Sequence, residues 1–275
     1  LGRQFLATAI KEISMKFLTL LFLLIPALSG AVTHEDLMNL KPSPNVNEHG
    51  IGIFVYDGMN ALDALGPYQT LKNAGLNAFL ISRNKDKLVT SSDTPSRGLK
   101  LIADKSWDEV DQVDVLVIPG GAISTARLTQ DKEVLDWIRR MDQTSYFTTS
   151  VCTGAWLLGE AGLLKGRKAT TNWYRAKEFL AKYGATYTNE RYVQDGKYIT
   201  SAGVTAGIDM ALYLIKTLYN SKEYTQAVML DLEYDPKPPV RGGSVKKSKP
   251  IVTNSMRVMY DWAFDLVLPG FRPAD

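Results

Sequence analysis

Short, nearly continuous apolar runs recur along this chain, each followed by a segment with helical patterning, and that alternation constrains the fold more than any single residue does. A strand that is apolar on every residue is buried on both faces, as in a parallel sheet covered by helices. Ile51–Tyr56, Asn77–Arg83, Val113–Ile118 and Tyr146–Val151 read as strands, with a shorter one at Lys168–Thr171. Between them lie helices. One enters near Pro67, where proline suits a first turn. The others cover Asp131–Met141, the segment from the 152–155 turn to Glu160, Tyr174–Tyr183, Thr205–Tyr219 and a stretch ending near Leu232. Strands alternating with helices imply right-handed βαβ units, so the predicted class is α/β, a doubly wound sandwich on a parallel sheet. Two hairpins interrupt the pattern, at 87–102 with Pro95 and Gly98 as turn residues, and at 192–202 around Asp195 and Gly196.

This core domain is expected to span 51–240. Residues 32–50 are polar, carry Pro42 and Pro44, and read as a linker. Residues 1–31 read as a leader. Met15 and Lys16 give a short positive start, and Phe17–Leu28 is an apolar run of about a dozen residues, short for a membrane span. Ser29 and Ala31 are small residues suited to cleavage after Ala31. Residues 1–14 precede the expected start. Export to a periplasmic or secreted location is therefore expected, with membrane attachment only through an uncleaved leader. The tail, 241–275, carries a basic segment and then a short helix over 254–267. That helix is expected to pack through Val258, Met259, Trp262, Ala263 and Leu266.

Composition narrows the chemistry. The net charge is only +3, with acids and bases interleaved, which disfavours nucleic acid as a partner. Cys152 is the single cysteine, so no intrachain disulfide forms. The two histidines, His34 and His49, precede the first strand, and no clustered Cys/His set suggests a metal or other cofactor. The segment SVCTGA (150–155) is a strand that stops at a nucleophilic residue and becomes a helix at once, the nucleophile-elbow pattern. The helix start favours thiolate over thiol. Taken alone, the pattern leaves Cys152 either a nucleophile or a buried structural cysteine. Pro119-Gly120-Gly121 ends another strand. The amides of Gly121 and Thr153 are candidate oxyanion donors, against a plain strand-ending turn. Asp63, set between leucines, is either a helix cap or a proton-exchanging group.

The segments LDALGPY (62–68), VLVIPGGA (115–122), SVCTGAWLLGEAGLLKGRKATTNW (150–173), TSAGVTAGIDMAL (200–212) and LEYDPKPP (232–239) together resemble the ThiJ/PfpI superfamily. The resemblance covers about 51–240 and implies a flavodoxin-like fold of the class I glutamine-amidotransferase type. Within it the chain is most similar to the bacterial isonitrile hydratase branch, which has Asp in the position of Asp63 and Thr in that of Thr153. The resemblance implies Cys152 as nucleophile, Asp63 and Thr153 as its catalytic partners, a small-molecule substrate and a homodimer. Ile123, Asn172, Trp173 and Val204 are the expected pocket residues.

Two departures matter. Thr153 stands where many relatives have His after the cysteine, and Asn172 stands where relatives commonly have His. No Cys-His pair forms after residue 49, so peptidase and glutaminase chemistry are disfavoured. Three readings stay open: hydration of an isonitrile to an N-substituted formamide by a hydro-lyase, a glyoxalase or deglycase-type thiol enzyme, and a non-catalytic redox-sensing or small-molecule-binding domain. The tail shows no paired-helix pattern, so a DNA-binding regulator is not expected.

Overall fold

The computed structural model describes residues 32–46, 49–91 and 98–273. They fall into two units, one ending at Pro42 and one beginning at Ser43. The expected leader lies outside the described residues. The first unit's described part is helix α1 (His34–Leu40), within the stretch read as a linker. Thr33 caps it: the Asp36 amide donates to Thr33 Oγ1, and the Thr33 amide donates to Asp36 Oδ2.

The second unit opens with β1 (Ile51–Val55), α2 (Ala61–Asn73) and β2 (Ala78–Ser82). Two short pairs follow, β3 (Leu88–Thr90) with β4 (Lys100–Ile102), and later β8 (Lys168–Ala169) with β9 (Thr186–Tyr187). The remaining elements are β5 (Lys105–Ser106), β6 (Val115–Ile118), α3 (Ile123–Leu128), α4 (Lys132–Thr144), β7 (Phe147–Val151), α5 (Gly154–Glu160), α6 (Ala176–Lys182), β10 (Tyr192–Asp195), β11 (Tyr198–Ser201), α7 (Ala206–Tyr219), α8 (Lys222–Asp231) and α9 (Pro250–Val267). The main sheet runs β10-β11-β7-β6-β1-β2-β5, parallel throughout except for β10 against β11. Every residue of β1, β2 and β6 is buried, as continuous apolar strands require.

From β1 the chain moves outward to β2, then returns to β6 on the other side of β1 and proceeds to β7. Right-handed crossovers in opposite directions place α2 and α4 on opposite faces, giving the doubly wound α/β sandwich. The reversal opens a crevice at the carboxyl ends of β1 and β6.

Two expectations change. Helix α2 starts six residues before Pro67, because the Asn60 side chain accepts the Leu62 amide and caps it there. Pro67 therefore sits inside the helix, where its missing N–H leaves the Asp63 carbonyl without its usual partner. The tail helix forms as expected but is turned over. Val258, Met259, Trp262 and Leu266 are exposed, whereas Phe264 is buried. Aromatic packing decides this. Phe264 stacks on Tyr174 at 5.6 Å, and Trp156, Phe179 and Phe271 complete the cluster. Among the described residues no helix is long and apolar enough to cross a membrane.

Candidate active site

Three loops meet at the carboxyl edge of the sheet, because β1, β6 and β7 are adjacent and parallel. The loop after β1 delivers Asp63 in the first turn of α2, the loop after β6 delivers Gly120 and Gly121, and β7 runs into Cys152. Cys152 has φ +58°, a left-handed conformation that costs a non-glycine residue on the order of 1 kcal/mol. Its surroundings hold it there. Its amide donates to the Ser201 carbonyl at 3.0 Å, and Thr171 Oγ1 donates to its carbonyl at 2.9 Å. A Cβ at Gly154 would collide with the Ile118 carbonyl oxygen, so the turn requires glycine there.

Asp63 is 0% exposed. Its Oδ2 accepts the Gly120 amide at 3.0 Å, while Oδ1 has no hydrogen-bond partner. Burial pushes this carboxyl up to about 7, with the Gly120 amide and the Cys152 thiol opposing the shift. Cys152 is 6% exposed. Burial, and then the charge of Asp63, push its thiol up. Hydrogen bonds from the Asn172 side chain and the Thr153 amide pull the other way without prevailing. The expected thiolate is thus not the resting form: the helix start is outweighed by desolvation and a neighbouring carboxylate. The resting pair is a neutral thiol beside a carboxyl that titrates near neutrality.

Asn172 Nδ2 donates to Cys152 Sγ at 3.3 Å, and the Tyr174 amide donates to Asn172 Oδ1 at 3.0 Å, which fixes the amide's orientation. Asn172 therefore contacts the sulfur itself.

Thr153 is placed differently from expectation. Its Oγ1 accepts the amides of Gly121 at 3.0 Å and Ala122 at 3.1 Å. It also meets Thr125 Oγ1 at 3.0 Å; Thr125 Oγ1 meets the Tyr56 hydroxyl at 2.9 Å, and Tyr56 donates to the Pro119 carbonyl. Each hydroxyl has one proton, so the donors run from Thr153 to Thr125 to Tyr56 to Pro119. The Thr153 hydroxyl consequently faces neither Asp63 nor the thiol, and the Gly121 amide serves this network rather than an oxyanion. The Thr153 amide is the group left at the sulfur. The loop is closely fitted: a Cβ at Gly120 would lie 2.6 Å from Thr153 Oγ1 and 2.9 Å from Asp63 Oδ2.

A cavity of about 420 Å³ opens onto Cys152. Thr153, Gly121, Asn172 and Val204 line it, whereas Ile123 and Trp173 do not. Trp173 instead lines a neighbouring hollow and packs edge-on against Tyr260. Tyr260, from α9, also lines the Cys152 cavity. No local sequence signal marks it, because its place depends on how a distant helix docks. No Lys, Arg, Asp or Glu lines the cavity among the described residues. Among those residues no group of three or more His, Cys, Asp or Glu is placed to hold a metal ion.

The DJ-1/PfpI family matches residues 49–217, which include Asp63, Gly121, Cys152, Asn172 and Val204. An isonitrile hydratase of Pseudomonas putida is 36% identical over 75% of this chain and 88% of its own length. A deglycase of Thermococcus kodakarensis is 29% identical over 53% of this chain and 84% of its own. The crystal structure of a ThiJ/PfpI family protein from Pseudomonas syringae superposes with a TM-score of 0.77 at 31% identity, covering 89% of this chain and 98% of that one.

Proposed function

The chain belongs to the DJ-1/PfpI family, and on that footing we propose that it is a hydratase that adds water to a small uncharged isonitrile through Cys152. The observation that carries the proposal is the thiol in a cavity that no charged side chain and no histidine lines among the described residues, with Asp63 behind it as the neighbouring acid-base group. The P. putida relative supports the choice of substrate.

The Cys152 thiol gives its proton to Asp63, and the sulfur adds to the terminal isonitrile carbon. Asp63 returns the proton to that carbon, leaving a thioimidate. Again a carboxylate, Asp63 takes a proton from water as the water oxygen adds to the carbon, and passes it to the nitrogen. The tetrahedral carbon then expels sulfur, and the hydroxyl proton returns to the thiol by way of Asp63. One isonitrile and one water give one N-substituted formamide. A carboxyl held near 7 both accepts and donates protons under neutral conditions.

A thiol enzyme of the deglycase kind is the second reading, supported by the deglycases among the relatives. The redox-sensing alternative is opposed by the burial of Cys152 and by its protonated resting state, since oxidation favours exposed thiolates. Assaying the purified protein with alkyl and aryl isonitriles beside 2-oxoaldehydes separates the readings. Formamide formation with no consumption of oxoaldehyde is expected, and the reverse result would favour the deglycase. Homodimerisation, suggested by the family, and export, suggested by residues 15–31, are further proposals. Sedimentation and cell fractionation test them.

A further inference from the structure

The cavity over Cys152 has one wall that the family region does not supply. Every other described lining residue, from Gly58 to Val204, falls inside 49–217, whereas Tyr260 comes from α9 in the tail. We infer that Tyr260 is a substrate-contacting residue and that the tail helix, by placing it there, sets which electrophiles reach Cys152.

Three observations support this. The first is rigidity. The Tyr260 ring stacks on Tyr174 at 4.9 Å with an interplanar angle of 24°, and meets Trp173 edge-on at 5.9 Å. The next residue, Asp261, accepts the Tyr174 hydroxyl at 2.6 Å, Arg175 Nε at 3.1 Å and Arg272 Nη1 at 3.0 Å. Phe264, one turn on, is buried in the aromatic cluster. A side chain clamped at these points presents a fixed surface to a ligand.

The second is an unused polar group. No hydrogen bond joins the Tyr260 hydroxyl to any of the described residues, although the ring is packed. Two polar groups beside the sulfur are already engaged: Asn172 Nδ2 with Sγ, and the Thr153 hydroxyl within its own chain of donors. Asp63 is fully buried and does not line the cavity. Burial raises the Tyr260 phenol, with the charges of Cys152 and Asp63 adding to it, so the hydroxyl of this cavity-lining residue stays a hydrogen-bond donor.

The third is continuity with the nucleophile. Tyr174, on which Tyr260 stacks, gives its amide to Asn172 Oδ1 and so orients the side chain that touches the sulfur. Docking of α9 thus supports both a wall of the cavity and the loop that carries Asn172.

The inference rests on the reading of Cys152 as the reacting atom, but not on which electrophile it takes. The test uses the full chain with Tyr260→Phe and Tyr260→Leu. The first keeps the ring contacts and removes the hydroxyl; the second removes the wall and keeps a helix-forming apolar residue. Two assays run in parallel: formamide formation from an aryl isonitrile, and the alkylation rate of Cys152 by iodoacetamide and by the bulkier N-benzyliodoacetamide.

With Tyr260→Phe, KM for the isonitrile should rise roughly two- to tenfold at nearly constant kcat, the cost of one lost hydrogen bond. Tyr260→Leu should shift the ratio of benzyl to unsubstituted alkylation rates by about threefold or more, the scale expected of a reshaped apolar wall. If wild-type protein forms no formamide, the isonitrile reading fails and the alkylation ratio still decides the role of Tyr260. If both variants keep the wild-type KM and the wild-type ratio, Tyr260 does not contact the substrate. A loss of stability with no change in the ratio assigns it a structural role and overturns the inference equally.

Discussion

Replacing Asp63 by Asn should make the protein more stable at neutral pH and inactive at the same time. The native carboxyl is buried, Oδ1 has no partner, and its pKa is raised from 3.8 to about 7. Between those values the folded state holds a proton that the unfolded chain releases. The stability contributed by the neutral form is therefore complete below about pH 4 and is lost as pH rises to about 7, after which it stays constant. A difference of about 3 pH units at 1.36 kcal/mol each puts the loss at about 4 kcal/mol. Asparagine does not titrate, and its side-chain carbonyl retains an acceptor for the Gly120 amide. Urea unfolding of both proteins from pH 4 to pH 8 reads the effect. The two should be nearly equal at pH 4, and the variant should gain by up to about 4 kcal/mol at pH 8. Other titrating groups occur in both proteins and cancel in the difference. Parallel stability curves would refute the assignment of a buried, raised carboxyl.

Turnover should follow the same ionisation. Only the Asp63 carboxylate can accept the thiol proton, so kcat/KM should rise with pH through about 7, and a maximum at pH 5 would contradict this role. Thr153→Val removes the acceptor of two amides and should cost roughly 2 kcal/mol, read as a fall in Tm of about 6 °C, whereas an unchanged Tm would show the amides satisfied elsewhere. Asn172→Leu deletes a group that lowers the Cys152 thiol, so iodoacetamide should alkylate the variant more slowly at a given pH, and an equal or faster rate would count against the contact.

The sheet was legible because its strands are buried on both faces, so Ile51–Val55 and Val115–Ile118 stand out as unbroken apolar runs. The turn at Cys152 was legible for a related reason: a strand that ends at a cysteine followed by Thr153 and Gly154 has few other ways to continue. What was missed depended on contacts between distant segments. The start of α2 was set by the Asn60 side chain rather than by Pro67. The Thr153 hydroxyl turned to the Gly121 and Ala122 amides, partners fixed only by the approach of β6 to β7. Hydrophobicity alone favoured Val258, Trp262 and Leu266 as the packed face of the tail helix. Aromatic complementarity to Trp156 and Tyr174 selected Tyr260 and Phe264 instead. The thiol's protonation state is not legible in the sequence, because a helix start acts within one turn while the opposing desolvation depends on the whole packed site.

Covalent chemistry at Cys152 is the centre of this account, and intact-mass analysis tests it most directly. Wild type and Cys152→Ala are mixed with an aryl isonitrile and quenched in acid within the first turnover, while formamide is measured in parallel. The expected result is a mass increase of one isonitrile on the wild type, mapped to the peptide containing Cys152, with formamide released. The alanine variant should show neither. Formamide released at the wild-type rate by Cys152→Ala would contradict it.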